Sequence, residues 1–160
     1  VLESVPEFGY AYQGYDPSTQ VRVSLREVDI SPKDAREICR AIKGLSLEKA
    51  RSLLQEVLSM RRPIAFRRYK KEGSHRRGLV GFHSGAYPQK VAKKLLRVLD
   101  DMEALADYKG MSAERLRIVH AAAYPGVKLK RFEPRAFGRS SPKHRTLVHV
   151  ELVGAEAGRT

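Results

Sequence analysis

The segment RFEPRAFGRSSPKHR, Arg131 to Arg145, limits most tightly how this chain can fold. It has no apolar period with which to pack a core, and Pro134 and Pro142 exclude a helix. It is flanked by two strand signals. Leu116 and Ile118 alternate with Arg115 and Arg117 before it; Thr146, Val148, Val150 and Leu152 alternate with Leu147, His149 and Glu151 after it. The segment therefore has to leave the core between two strands. Ten extended residues reach roughly 30 Å. Residues two or four apart share a face of a strand, so Arg135, Arg139 and Lys143 are expected to form one cationic edge unless a turn intervenes. The prolines deny ladder bonds and discourage pairing with other chains, and Gly138 allows a close approach or a positive φ.

Regular elements surround this segment. Val21, Val23 and Leu25 alternate with Arg22, Ser24 and Arg26, as in a half-buried strand. In the next stretch Ser31 suits an N-cap, Pro32 the first helical position and Asp34 the positive end of the helix dipole. Ala35, Ile38, Cys39 and Ile42 form the inner face of that helix, and Gly44 ends it. A second helix starts at Ser46 and buries Leu47, Ala50, Leu53, Leu54, Val57 and Leu58. A third runs from about Pro88 to Tyr108, burying Val91, Leu95, Leu99, Met102 and Leu105 or Ala106. Its cations Lys90, Lys93, Lys94 and Arg97 come early and its acids late, against the helix dipole, which reserves the basic half for a partner. The expected fold is α+β: three helices on a small, largely antiparallel three-stranded sheet, with a long basic β-hairpin arm protruding from it. An irregular N-terminal arm is expected over 1–19 and a single domain over 20–153. That domain includes a basic insert at 61–88 and the extended hairpin at 124–145, and a tail follows over 154–160.

Charge narrows the function. Lys and Arg number 31 against 18 Asp and Glu, a net +13 that calls for a polyanionic partner. The excess is concentrated. The insert carries Arg61, Arg62, Arg67, Arg68, Lys70, Lys71, Arg76 and Arg77 against Glu72, with Phe66 and Tyr69 interleaved for stacking on bases. The second run holds Lys128, Lys130, Arg131, Arg135, Arg139, Lys143 and Arg145 against Glu133, with His144 beside them. Guanidinium groups hydrogen-bond phosphate in pairs and stack on bases, so arginine-rich runs suit RNA.

Catalysis finds little support. There is no phosphate-binding glycine loop and no G-x-S-x-G, and the five histidines lack metal-ligand spacing. Cys39 lies on an apolar helical stripe and reads as a core thiol. Asp100, Asp101 and Glu103 read as a solvated face rather than a metal site. No catalytic residue, metal or cofactor is expected. With one cysteine and no apolar run of membrane-spanning length, a cytoplasmic location without membrane insertion is expected.

Three patches carry a resemblance. AIKGLSLEKARSLLQEVL is similar to the helix pair of the universal large-subunit ribosomal protein L-twenty-two family in its archaeal and eukaryotic form. AFRRYKK with GAYPQKVAKKLLRVLDDMEALADYKGM resembles that family's insert and third helix, and KRFEPRAFGRSSPKH with HVEL its arginine-rich loop and closing strand. The likeness spans roughly 18–153 and is most specific at Pro134, Arg135, Ala136, Gly138 and Arg139. It departs at ALADYKG, where the family pattern has an asparagine, at Glu133, and over the N-terminal arm. The resemblance implies a structural protein of the large ribosomal subunit that binds ribosomal RNA. It also implies a hairpin lining the nascent-peptide exit tunnel beside ribosomal protein L-four. Lys128 to Lys143 would form that hairpin, with Phe132, Glu133, Pro134, Ala136, Phe137 and Gly138 at its tip. Two other readings stay open on the residues alone: an architectural protein whose basic ribbon bends duplex DNA, and an RNA-processing enzyme.

Overall fold

The computed structural model describes residues 9–156. The first eight residues of the expected N-terminal arm and the last four of the expected tail lie outside the described residues. Strand β1 (Gln20–Val28) buries Val21 and Val23, as its alternation requires. Helix α1 (Pro32–Ile42) opens on Ser31, whose Oγ accepts the Asp34 N–H at 3.4 Å. It buries Ala35, Ile38, Cys39 and Ile42. Gly44 turns the chain at φ +87°, a conformation that would strain any side chain, and its N–H donates to the Ile118 carbonyl at 2.7 Å. Helix α2 (Leu47–Leu58) follows. Helix α3 (Gln89–Tyr108) buries Val91, Leu95, Leu99 and Met102, and of its two alternatives buries Ala106 and exposes Leu105. The late acids of α3 are answered from α2: Arg51 reaches Asp100 at 2.6 Å and Glu103 at 2.7 Å, and the Glu103 hydrogen bond holds its guanidinium above the usual arginine range.

The basic insert is not irregular throughout. Short strands β2 (Ile64–Ala65), β3 (Ser74–His75) and β4 (Ser84–Ala86) form a second small antiparallel sheet in the order β2-β4-β3. Buried Ser84 places its Oγ 2.7 Å and 3.0 Å from the Lys70 and Gly73 carbonyls, which ties the loop across the sheet. Phe66 is a correction to its expected stacking role. It is only 1% exposed and belongs to the core, because β2 turns it beneath the helices.

Strands β5 (Leu116–Leu129) and β8 (Arg145–Glu156) complete the main sheet, antiparallel and ordered β1-β8-β5. The sequence shows only the inner ends of these strands, since alternation fades once both faces meet solvent. β8 continues past 153, and Leu116 pairs with Glu156, so the expected tail begins as core strand. Val150 to Gly154 are all buried, although a strand with one covered face would alternate. The cause is a second cover. The helices lie on one face, and residues 9–16 cross the other. There the Ala11 N–H donates to both Glu151 carboxylate oxygens (3.1 and 3.3 Å), and the Arg22 guanidinium sits 4.4 Å from the ring centroids of both Tyr10 and Tyr15. Pairs of this kind contribute about 0.5–1 kcal/mol each at exposed sites.

Candidate nucleic-acid interface

The hairpin is β5 and β8 continued past the end of β1, whose last pair is Val28 with Val148. Beyond that point pairing runs through Pro125–Val148, Lys128–Thr146 and Leu129–Arg145. It resumes between β6 (Phe132–Pro134) and β7 (Ser140–Pro142). β5 carries an extra residue between Pro125 and Lys128. Gly126 lies in that bulge because a Cβ there would stand 2.7 Å from the His149 ring. His149 in turn accepts the Glu27 N–H at 3.1 Å, where β1 has its own bulge.

At the tip the Arg135 N–H donates to the Arg139 carbonyl at 2.8 Å, and both Phe137 (φ +59°) and Gly138 (φ +66°) take left-handed backbone. A turn therefore does intervene in the basic series. Arg135 and Arg139 stand on opposite limbs of the turn, so Arg135, Arg139 and Lys143 do not make one edge of one strand. Phe137 is 94% exposed in a conformation that disfavours its side chain, and no packing within the domain explains it. Glu133 lies between Lys143 (3.5 Å) and Arg135 (3.9 Å), while Arg135 donates from Nε to Ser141. Lys128, Lys130, Arg131, Arg139 and His144 are exposed. Arg145 is engaged: with Lys90 at 2.9 Å it converges on Asp29, tying the hairpin base to the start of α3. The Lys90 hydrogen bond, followed by that of Arg145, holds the Asp29 carboxyl below its ordinary range.

The insert is organised by a residue that its own sequence does not reveal. Glu37, on α1 and buried, accepts the N–H groups of Arg67 (3.2 Å), Arg68 (2.8 Å) and Tyr69 (3.4 Å). One carboxylate thus fixes the backbone of three consecutive residues, with the Arg67 and Arg68 side chains outward and Tyr69 against the core. Several cations then rest on rings: Arg67 lies 5.4 Å from the Phe82 centroid, Arg68 5.9 Å from Tyr69 and Arg76 5.5 Å from Tyr87. The aromatic residues of this region serve first as platforms for arginine. Tyr69 is half-buried against the core, and Lys33 reaches its ring at 5.7 Å. Arg61, Lys70, Lys71 and Arg77 are exposed, and Arg62 pairs loosely with Glu56 at 3.5 Å.

Lys33 belongs to a group absent from the sequence expectations. Lys33, Arg36 and Arg40 are exposed at positions i, i+3 and i+7 of α1, opposite its buried face. That spacing is a legible signal, a sparse polar stripe of three cations on the face opposite the apolar positions. Through Glu37 and Tyr69 this stripe adjoins Arg67 and Arg68. On α3, Lys93 and Arg97 are exposed and Lys94 half-exposed, while Lys90 is shared with Asp29. Cys39 is sealed in the core, and burial pushes its thiol up to about 12.

Fold and surface together define a basic α+β domain with a two-stranded arm, the build of a protein that binds a polyanion. The family model described as ribosomal protein L22p/L17e matches residues 23–155, and the chain belongs to that family. It is 54% identical to a large ribosomal subunit protein uL22 of Nitrosopumilus maritimus, over 93% of this chain and 97% of that one. It is 50% identical to the uL22 of Cenarchaeum symbiosum (94% and 99%) and 49% identical to that of Archaeoglobus fulgidus (90% and 93%). The type is archaeal, and the family's role is structural rather than enzymatic. Among the described residues no helix is long and apolar enough to cross a membrane.

Proposed function

We infer that this protein is a structural constituent of the large ribosomal subunit. It binds the subunit's RNA through three adjoining surfaces: the insert with the α1 stripe, the basic half of α3, and the hairpin. The observation that carries the reading is the arm itself. Two strands of the core sheet run on as a ribbon whose side chains are mostly exposed and whose charges are nearly all cationic, reaching roughly 35 Å beyond the last pair with β1. A ribbon that long with so little to bury is made to be enclosed by a partner. RNA supplies what it lacks, phosphates for its arginines and lysines and bases for its exposed rings.

In this reading the hairpin passes inward through ribosomal RNA, and Phe132 to Arg139 lie against the path of the nascent peptide near ribosomal protein L-four. Family membership supports this placement, and so does the strained, exposed Phe137 at the apex, which has a use only against something outside the domain. The protein works in the cytoplasm as part of the subunit. It acts by neutralising phosphates and holding RNA segments at fixed separations, without bond-making chemistry.

Co-sedimentation with the large subunit at moderate salt, followed by mapping of RNA crosslinks, tests the reading. Crosslinks from residues 131–139 should fall on RNA lining the tunnel, and affinity for isolated RNA should fall with salt at a slope of about −0.7 to −0.9 per phosphate neutralised. A flat salt response, or tighter binding to duplex DNA than to ribosomal RNA, would overturn it.

A further inference from the structure

A joint interrupts the hairpin. The ladder of β5 and β8 ends at Leu129–Arg145 and that of β6 and β7 begins at Phe132–Pro142, with a single backbone bond between them, from the Lys143 N–H to the Arg131 carbonyl at 2.6 Å. The gap opens a pocket of about 390 Å³, within the range of small-ligand sites. Three chemistries meet on its walls. Phe132 is 65% exposed and stands edge-on to His144, ring centroids 6.2 Å apart. Arg131 and Lys143 supply positive charge. Glu133 supplies the only carboxylate among the pocket's residues.

An acid in an arm that meets RNA is unfavourable toward phosphate, and its contacts with Lys143 and Arg135, at 3.5 and 3.9 Å, are too long to use up its acceptor capacity. A carboxylate is acceptor-only, so among the bases it matches an edge that offers donors side by side. Guanine has one, the N1–H beside the exocyclic amine. Adenine and cytosine place an acceptor next to their single amine, which would face the second carboxylate oxygen.

We propose that the hairpin joint is a binding pocket for one unstacked guanine nucleotide. Phe132 stacks on the base, Glu133 accepts from its N1–H and amine, and Arg131 and Lys143 take the neighbouring phosphates. The proposal rests on the RNA-binding reading above and deepens it. It makes Glu133 the residue that reads sequence in an arm whose other contacts read charge and shape.

The test uses the full chain and six-nucleotide uridine strands that carry one central guanosine, adenosine or inosine, with binding followed by fluorescence anisotropy. Guanosine should exceed adenosine by about tenfold, as one paired contact to a base edge allows, with inosine between them. Glu133→Gln presents one acceptor and one donor, so it should reverse the order in favour of adenosine while keeping the salt dependence. Phe132→Ala should weaken all strands together. Equal binding of guanosine and adenosine by the native chain, or an order unchanged by Glu133→Gln, overturns the pocket and leaves RNA binding intact. Loss of salt-dependent binding to every strand and to ribosomal RNA overturns both.

Discussion

The body and the arm of this protein are built from the same two strands under opposite rules. In the body, β8 is buried on both faces between the helices and residues 9–16, and its buried acid, Glu151, is met by the Ala11 N–H and by Arg26 at 3.5 Å. In the arm the same ribbon exposes Val127, Leu129, Phe132 and Phe137, and its acid sits at the edge of contact distance from two cations. Burial of apolar surface and strict pairing of buried polar groups hold the body together. Neither operates along most of the arm, where the chain itself constrains only the turn residues, Gly126 against His149 and a few polar pairs. The arm's other side chains are therefore the place to look for what the partner demands.

The contrast can be broken most forcefully in the body. Leu54→Ala, at a fully buried position between α2 and its neighbours, should cost about 3 kcal/mol of unfolding free energy in urea titration. Glu37→Leu should follow closely at about 2–3 kcal/mol, since it strips the acceptor from three N–H groups. It should also raise amide exchange at 67–69 before exchange elsewhere changes. Removing residues 129–142 should shift stability by less than about 0.5 kcal/mol yet abolish incorporation into functional subunits. A large loss of stability there would mean that the arm packs on the body. Phe137→Ala should leave the melting temperature unchanged within error, and Phe137→Gly should raise it slightly by relieving the positive φ.

Cys39 reports on the body without perturbing it. With its thiol held up near 12, it stays protonated and should resist a thiol reagent at pH 8 until the domain opens. The stability tied to that shift is whole below the free thiol's pKa of about 8.5. It declines as pH rises from there toward 12, so alkaline unfolding and Cys39 labelling should rise together.

What the sequence conveyed follows from where each residue's partners lie. The helices were legible because their apolar positions repeat over a few residues, and the arm because prolines and spaced arginines exclude everything else. Glu37 was not legible. It sits between Arg36 and Ile38 on a helix, where an acid is usually solvated, and its partners are N–H groups some thirty residues ahead. Glu151 was hidden in the same way, since its cover comes from the opposite end of the chain. Phe66 was misread because an aromatic among arginines looks the same in sequence whether it faces a base or the core. The length of the hairpin strands escaped for a different reason. Pro125, Pro134 and Pro142 all sit in ladders, which edge strand β5 and the two-stranded ribbon beyond it tolerate because a proline there can face outward with its missing donor.

The bulge at Gly126 has a bearing on how such an arm changes over time. Side chains alternate across a ribbon with a period of two, so an odd residue gained or lost turns over every face beyond it. The core fixes the register of β5 and β8 at their inner ends, through Leu116 with Glu156 and its successors, and the extra residue between Pro125 and Lys128 is where that phase is reset for the arm. A single insertion or deletion there would leave the body's ladder, from Leu116–Glu156 to Pro125–Val148, in register and would touch the body only through the His149 ring that packs on Gly126. At the tip it would exchange the residues that face one wall of the surroundings for those that face the other. The bulge is thus a phase setting, through which an arm of fixed composition presents one of two opposite surfaces.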